Sequence, residues 1–229
     1  PGVDVSRLLG ILVVLAPVAA GAQLYGDTPL ESPRGHQLEI KLGPFTPRLA
    51  EEKSDAGEVH LFKGICHQIL VESPRCVPGS LIVGADSHTT TAGALGAFAC
   101  GMGSTDILAT LLTGKTWLRV PPSVRVRFHG HMPSHLRGKD LALWLLGELG
   151  EGGAGYKALE FEDRSEGLTI PFDGRLTLAN MAVECGAKNG IWVPDESTRR
   201  CFGAIGGQWP AEGQLRPDED AEYERTIDL

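Results

Sequence analysis

Hydrophobic residues form short unbroken runs or follow a two-residue period in four segments of the chain. GSLIVGA, residues 79–85, is an apolar run between glycines and predicts a buried strand. SVRVRFHG, residues 123–130, alternates apolar and polar side chains and predicts a strand with one solvent-exposed face. KALEFED, residues 157–163, predicts another strand, and NGIWVPDE, residues 189–196, predicts a last strand or turn.

Longer segments between these strands have the composition and the boundaries of helices. Residues 91–113 are mostly small or aliphatic and predict one long helix that packs closely. GKDLALWLLGELG, residues 138–150, is bounded by glycines, and RLTLANMAVECGAK, residues 175–188, has Gly186 as its expected C-cap. EVHLFKGICHQILVE, residues 58–72, predicts a strand followed by a helix. Strands that alternate with helices indicate an α/β fold with a partly parallel sheet.

Both ends of the chain lack this alternation. LLGILVVLAPVAAGA, residues 8–22, follows Arg7 and has the charge, apolar core and small-residue ending of a secretory signal. A buried strand or helix of ordinary core is an equally good interpretation of that run. Residues 23–57 are rich in turn formers and charge, which predicts loop. The acidic residues 216–229 predict a solvated linker.

Composition and charge narrow the classes of partner. The 229-residue chain has a formal net charge of -8 and no dense run of Lys or Arg, which argues against a nucleic-acid partner. An anionic small substrate remains compatible, because the local charge of a pocket can oppose the net charge. The five cysteines form no C-x-x-C pair, so we interpret them as buried thiols in a reducing compartment.

Two motifs suggest chemistry that their context does not support. TGKT, residues 113–116, resembles the end of a phosphate-binding loop, but Ala109 stands where that loop needs glycine. HGHMPSH, residues 129–135, brings together three histidines that could bind zinc, yet no second cluster of Cys or His has matching spacing. We therefore interpret these histidines as residues of a surface loop.

Asp86, Ser87 and His88 stand where the buried strand 79–85 ends. Adjacent residues of an extended strand point to opposite faces, so the three cannot form a hydrolytic relay among themselves. At the carboxyl end of a strand, however, all of them can reach the crevice in which α/β proteins bind ligands. A cap for the following helix accounts for Asp86 or Ser87 but not for His88, which favours a functional site.

The same residues carry a resemblance to a known family. GADSHTTTAGALGAFACGMGSTD, residues 84–106, resembles the aconitase superfamily. GICHQ, LTGKTWLRVP, YKALEF and LTLANMAVECGAKNGI follow the order found in the large subunits of the isopropylmalate dehydratase and homoaconitase branch, across residues 64–191. Several motifs in one order are far more specific than any one of them. The resemblance implies a three-layer α/β/α domain within residues 58–229 and leaves residues 1–57 unassigned.

The resemblance also implies a reaction and an active site. The family dehydrates and rehydrates hydroxy-acids, using a four-iron four-sulfur (4Fe-4S) cluster as Lewis acid. His67 and His88 match its active-site histidines, with Asp86 expected to pair with His67 and Glu184 with His88. A carboxylate beside an imidazole favours the charged imidazolium and fixes the tautomer.

Two further residues are implied as substrate-binding. Ser87 would bind a substrate carboxylate. Asn180 lies one helical turn before Glu184 and would face the cluster and its bound water. The implied partners are a small hydroxy-acid and a small subunit that carries the swivelling domain, with no nucleic acid and no membrane. The implied compartment is the cytoplasm.

Features expected of the family are missing from the sequence. No Asp-His dipeptide occurs, residues 1–57 do not resemble the family's start, and the five cysteines lie outside the family's cluster motifs. We therefore expect a fragment that holds no metal and no cluster of its own, in a chain inactive by itself. Within the family we expect isomerisation of isopropylmalate, with homoaconitase or aconitase as the alternative. An inactive fragment is a second alternative, and an RNA-binding regulator a third that the acidic charge opposes.

Overall fold

The structure is a computed structural model, and it describes residues 13–16, 37–41, 64–113, 115–166, 169–210 and 216–229. Within these residues the chain forms nine strands and five α-helices. The strands are β1 (Val13–Ala16), β2 (Gln37–Lys41), β3 (Leu81–Gly84), β4 (Phe98–Gly101), β5 (Lys115–Arg119), β6 (Ser123–Phe128), β7 (Ala158–Asp163), β8 (Asn189–Trp192) and β9 (Arg225–Asp228). The helices are α1 (Cys66–Val71), α2 (Ser104–Thr113), α3 (Gly138–Leu149), α4 (Phe172–Met181) and α5 (Glu196–Ala204), with 3₁₀ helices at Ser87–Leu95 and Ala182–Cys185.

The largest sheet has the strand order β8-β7-β6-β9, and every neighbouring pair in it is parallel. Strand β6 buries alternate residues, as its sequence pattern predicts. The buried side chains of β6 and β7 pack with those of α3 and α4 in one apolar cluster around Phe161 and Trp192. The predicted α/β fold with a partly parallel sheet is confirmed.

A second sheet carries the strand that leads to the candidate site. Its order is β1-β3-β4, with β3 parallel to β4 and antiparallel to β1. All four residues of β3 are buried, as the sequence predicts. The backbone N–H of Ala99 on β4 donates to Asn189 Oδ1 on β8 across 3.2 Å, so one buried amide links the two sheets. Strands β2 and β5 form a separate antiparallel pair.

A buried arginine joins α4 to the carboxyl ends of the large sheet. Arg175 is fully buried; its Nη2 lies 3.2 Å from Asp163 Oδ2 and its Nη1 lies 2.7 Å from Asp195 Oδ2. Its Nε donates to the Ile170 carbonyl, and its guanidinium carbon lies 4.7 Å from the centre of the Trp192 ring. We call Arg175, Asp163 and Asp195 the arginine cluster.

The long helix predicted for residues 91–113 is wrong. A 3₁₀ helix ends at Leu95, strand β4 follows, and α2 begins only at Ser104. Gly96 adopts a left-handed φ of 79° that closes the 3₁₀ helix. The Thr89 and Thr91 hydroxyls donate to backbone carbonyls three residues earlier, a local bond that competes with regular helix.

The solvated linker predicted for residues 216–229 is also wrong in part. Residues 225–228 form β9, which pairs in parallel with β6. Ile227 is buried in the main apolar cluster, and Tyr223 donates a hydrogen bond to Glu160. One buried isoleucine within a charged run is too weak a hydrophobic pattern for a strand to be predicted from it.

The loop predicted for residues 23–57 is wrong in part, because residues 37–41 form strand β2 through long-range pairing with β5. The remaining elements are found close to their expected bounds. Helix α3 and strands β7 and β8 match, and Gly186 ends the Ala182–Cys185 turn with a left-handed φ of 78°. The apolar run 8–22 contributes strand β1, while the packing of its side chains lies outside the described residues, as does the strand expected within 58–63. None of the helices in the described ranges is long and apolar enough to cross a bilayer.

Candidate functional site

The site begins where β3 ends and the chain passes through Asp86 into the 3₁₀ helix. Asp86 is the N-cap, and its Oδ1 accepts from the backbone N–H of His88 across 2.7 Å. This turn packs against the end of β4 so closely that a Cβ on Gly101 would lie 2.6 Å from Ser87 Cα. Glycine is therefore required at Gly101, since any side chain would displace the turn that carries Asp86 and His88.

Helix α1 brings the first histidine to this turn. His67 Nε2 lies 3.0 Å from Asp86 Oδ1, a hydrogen-bonding distance. The proximity expected for His67 and Asp86 is confirmed. His67 Nδ1 is buried and makes no hydrogen bond within the described residues. A proton on Nε2, which faces the Asp86 carboxylate, is favoured over a proton on Nδ1, which would be a buried donor without an acceptor.

The second histidine lies between two carboxylates. His88 Nδ1 is 3.3 Å from Asp86 Oδ1, and His88 Nε2 is 3.8 Å from Glu184 Oε1. The latter separation is too long for a hydrogen bond but within the range of an ion pair. The rings of His67 and His88 have centres 6.2 Å apart, so all four side chains belong to one cluster. We call His67, Asp86, His88 and Glu184 the histidine cluster.

Asp86 has a pKa below its ordinary value. Partial burial raises the pKa of Asp86, but the backbone N–H of His88 and the nearby His67 and His88 rings lower it by more. The carboxylate is thus held in its charged form. Its Oδ1 lies near both imidazoles, whereas the sequence suggested a pairing with His67 alone.

The two expected substrate-binding residues lie beside this cluster. Ser87 Oγ is 3.4 Å from His88 Nδ1, and Ser87 is exposed. Asn180, near the end of α4, donates from Nδ2 to Thr91 Oγ1 across 2.9 Å, and Thr91 in turn donates to the His88 carbonyl. The six residues singled out from the sequence thus come together, while their roles stay predictions. Sequence reasoning missed Thr91, because nothing in the run TTT distinguishes its hydroxyl from the other two.

The two motifs set aside on sequence grounds lie elsewhere. Lys115 and Thr116 belong to strand β5, so TGKT does not open a helix as a phosphate-binding loop does. His129 pairs with Asp228 across 2.9 Å, and both side chains are more than half exposed. Among the residues that the structure describes, no three His, Cys, Asp or Glu side chains converge as metal ligands.

The five cysteines are free thiols, and three of them are buried as expected, whereas Cys66 and Cys201 are only partly buried. Burial raises the pKa of Cys76 to about 12 and the pKa of Cys185 to about 11, and it also raises the pKa of Cys66, Cys100 and Cys201. A 4Fe-4S cluster needs three or four thiolates close together, and in the described part of the chain no three Cys side chains converge. The cysteines of this chain therefore do not fit a 4Fe-4S cluster.

Comparison with known proteins identifies a matching family and several similar proteins. The model of the aconitase family (aconitate hydratase) matches residues 48–229, beginning inside the segment 1–57 that had no expected counterpart. A protein of Archaeoglobus fulgidus named 3-isopropylmalate dehydratase large subunit 2 is 52% identical over 185 residues, which are 80% of this chain and 42% of that protein.

Two further relatives, each named 3-isopropylmalate dehydratase large subunit, have similar sequence identity to this chain. The one from Wolinella succinogenes is 48% identical over 167 residues, and the one from Nitratiruptor sp. is 50% identical over 170. Each alignment covers 72% of this chain and 39% of the relative. The chain thus spans about two fifths of the length of the curated relatives that it matches.

Proposed function

This chain belongs to the aconitase family, and we propose that it forms the proton-handling and substrate-binding part of a hydro-lyase site that interconverts 2- and 3-isopropylmalate by dehydration and rehydration. The observation that carries the proposal is the histidine cluster, in which two imidazoles and two carboxylates meet within the segment matched by the family. The names of the three relatives support isopropylmalate as the substrate.

Dehydration removes a hydroxyl from one carbon and a proton from its neighbour. Hydroxide is a poor leaving group, so the hydroxyl oxygen must gain a proton as its bond to carbon breaks. In our proposal His88 donates that proton, because its partly exposed ring has an Nε2 that lies 3.8 Å from Glu184 without a hydrogen bond and can therefore reach a ligand. Asp86 orients the His67 and His88 rings through Oδ1. The proton on the neighbouring carbon passes to a base that we place on the small subunit, outside this chain. General-acid catalysis of this kind contributes about 10²–10⁴-fold.

Substrate binding falls to Ser87 and Asn180. The exposed Ser87 hydroxyl, next to the His88 ring, is suited to a substrate carboxylate. Asn180 is half-buried on the neighbouring helix and is linked through Thr91 to the His88 carbonyl, so it stands close enough to share a ligand with His88 in this proposal. A hydroxy-acid held by its carboxylate at Ser87 would thus bring its hydroxyl toward His88.

The family's 4Fe-4S cluster supplies Lewis-acid activation of the hydroxyl where it is bound. The cysteines described above do not fit that group, so we assign no residue of this chain as its ligand. We keep the expectation that the isolated polypeptide neither holds a stable cluster nor forms olefinic acid. The proposed partner is a small subunit, which the word "large" in the relatives' names implies. The proposed compartment is the cytoplasm, as for the family.

Two alternatives remain. Homoaconitase and aconitase share the same histidine–carboxylate chemistry, so homocitrate or citrate would replace isopropylmalate without a change in the cluster. A catalytically inactive fragment would keep the geometry of the histidine cluster but would catalyse no reaction.

A chimera tests the proposal without requiring this chain to hold the cofactor. Residues 64–210 of this chain would replace the aligned segment of the Archaeoglobus fulgidus large subunit, and the product would be assayed with its small subunit for olefinic acid. His88→Asn should lower turnover of isopropylmalate by about 10²–10⁴-fold. His129→Asn is the matched control, since it breaks an exposed histidine–aspartate pair elsewhere and should leave turnover within about twofold.

The results separate the alternatives. Faster turnover of homocitrate or citrate than of isopropylmalate would show that the homoaconitase or aconitase alternative is correct. A folded chimera that His88→Asn leaves as active as before would contradict the proposed role of the histidine cluster.

A further inference from the structure

Strand β4 reaches the histidine cluster from the edge of its sheet. The backbone N–H groups of Phe98 and Met102 donate to carbonyl oxygens in and beside β3 across 2.8 and 2.9 Å. Because successive residues of a strand turn their backbone groups to opposite edges, those of Ala99 and Gly101 face away from β3. Within the described residues no strand pairs with that edge, so its backbone groups need other partners.

Two consecutive side chains at the start of β8 take the place of the missing strand. Asn189 Oδ1 accepts from the Ala99 N–H across 3.2 Å, and Lys188 Nζ donates to the Gly101 carbonyl across 2.7 Å. The Lys188 backbone N–H donates to the Lys157 carbonyl across 2.8 Å, which anchors this lysine on the large sheet. The large sheet therefore holds the edge of β4 at two points, and Lys188 holds the one nearer to the histidine cluster.

The surroundings of Lys188 differ from those of an ordinary surface lysine. It is half-buried, and within the described residues it makes no ion pair with a carboxylate, whereas Lys157 pairs with Glu224. Its ammonium lies 5.9 Å from the centre of the Tyr156 ring, within reach of a cation–π contact. Tyr156 has a left-handed φ of 56°, a costly conformation for a residue with a side chain. The Gly101 carbonyl is thus the hydrogen-bond acceptor of this ammonium, and no countercharge competes for it.

Gly101 connects this hydrogen bond to the turn that carries the site. A Cβ on Gly101 would lie 2.6 Å from Ser87 Cα and 2.7 Å from the Asp86 carbonyl oxygen, so the strand end and the turn are in backbone contact. No side-chain rotation can absorb a movement of Gly101 there, because both partners are main chain. The position of Ser87, and of His88 after it, therefore depends on the hydrogen bond from Lys188.

We propose that Lys188 is a positioning residue: its hydrogen bond to the Gly101 carbonyl fixes the end of β4, and through it the turn that carries Ser87, in the arrangement that binds a hydroxy-acid. The statement about the ligand rests on the proposed function, whereas the coupling of Lys188 to the turn does not. Separate measurements on the full 229-residue chain test the two parts.

Nuclear magnetic resonance tests the coupling. In the wild type the Lys188 Hε protons should show through-space contacts with the Gly101 Hα protons. Lys188→Met removes the ammonium but keeps an unbranched apolar side chain, and it should shift the backbone amide resonances of Ser87 and His88. Lys188→Arg, which retains a cationic donor, should keep them close to the wild type. Lys157→Met is the matched control, since Lys157 stands at the same end of the large sheet but its ammonium pairs with a carboxylate.

The affinity for 2-isopropylmalate tests the consequence for the ligand. Lys188→Met should weaken binding by about tenfold, the value of roughly one well-placed hydrogen bond, because the ligand-binding groups on the turn are displaced. Lys188→Arg and Lys157→Met should stay within about twofold of the wild type. Lys157→Met removes the same charge from the same end of the sheet, so it also controls for the change in net charge.

Each outcome decides one part. Missing contacts between Lys188 and Gly101 in the wild type overturn the positioning role, even if Lys188→Met does not fold. Unchanged Ser87 and His88 resonances in a folded Lys188→Met, or equal shifts in Lys188→Arg or Lys157→Met, overturn it as well. Shifted resonances with unchanged affinity overturn the consequence for the ligand. A wild type that shows the contacts but does not bind 2-isopropylmalate refutes the proposed function while the positioning role stands.

Discussion

The histidine cluster and the arginine cluster are both built from carboxylates and cationic side chains, yet they are opposite in their relation to solvent. In the arginine cluster, Arg175 and Asp163 are fully buried, and Arg175 meets two carboxylates, a carbonyl and a tryptophan ring. In the histidine cluster, His88 and Glu184 are 37% and 54% exposed and stand 3.8 Å apart, without a hydrogen bond.

The difference separates charges that hold the fold from charges that can act on a ligand. Every charged group of the arginine cluster already has its partners, and none can exchange them for a substrate without leaving a buried charge unpaired. The histidine cluster keeps a loose pair and an exposed serine, so a ligand can gain contacts there at little cost to the fold. Loss of an arginine-cluster residue should therefore strongly lower stability, and loss of a histidine-cluster residue should change binding with at most a small effect on stability.

The largest effect is expected from Arg175→Met. It leaves Asp163 buried without its cation, and the free energy of unfolding should fall by about 3–5 kcal/mol. Urea unfolding measures this directly. Arg164→Met is the matched control: Arg164 also pairs with a carboxylate, that of Glu162, but it is 55% exposed and should cost no more than about 1 kcal/mol. Equal losses in the two variants would remove the distinction between the clusters.

A smaller effect is expected from Gly93→Ala, a change in the 3₁₀ helix that carries His88. A Cβ at Gly93 would lie 1.9 Å from the Gly190 carbonyl oxygen, so the 3₁₀ helix must move away from β8 at a cost of about 1–3 kcal/mol. Gly147→Ala on α3 meets nothing within 4 Å and should instead stabilise by about 0.5–1 kcal/mol. Thermal unfolding of both variants shows whether each one lowers or raises stability. Unchanged stability in Gly93→Ala would show that the 3₁₀ helix packs less closely against β8 than described.

The smallest effect concerns the pH dependence of stability through Asp86. Because the pKa of Asp86 is lowered in the fold, its charge contributes stability above its unfolded pKa, and that contribution is lost as the pH falls through the folded pKa. Asp86→Asn, which keeps an N-cap, removes this contribution, worth less than about 1 kcal/mol at such a partly exposed site. The stability difference between wild type and variant should be present near pH 6 and vanish under acid conditions. A stability difference between wild type and Asp86→Asn that grows toward low pH would contradict this prediction.

The elements that sequence patterns predicted are those with a strong period, such as β6 and α3. The site residues came from the resemblance, since no local pattern places His67 beside Asp86 or Glu184 beside His88. Strand β9 and the break at Gly96 could not be predicted, because they depend on long-range contacts: the pairing of β9 with β6, and the packing of the 3₁₀ helix against β8. The arginine cluster was missed for the same reason, since its two carboxylates lie 12 and 20 residues from Arg175.

The position of a bound hydroxy-acid tests the central distinction most directly. Addition of 2-isopropylmalate to the uniformly labelled chain should shift the backbone and side-chain resonances of Ser87, His88 and Asn180, and leave those of Arg175 and Asp195 in place. The shifts should be lost in His88→Asn and retained in His129→Asn. Shifts centred on the arginine cluster, or shifts that His88→Asn leaves intact, would contradict the account.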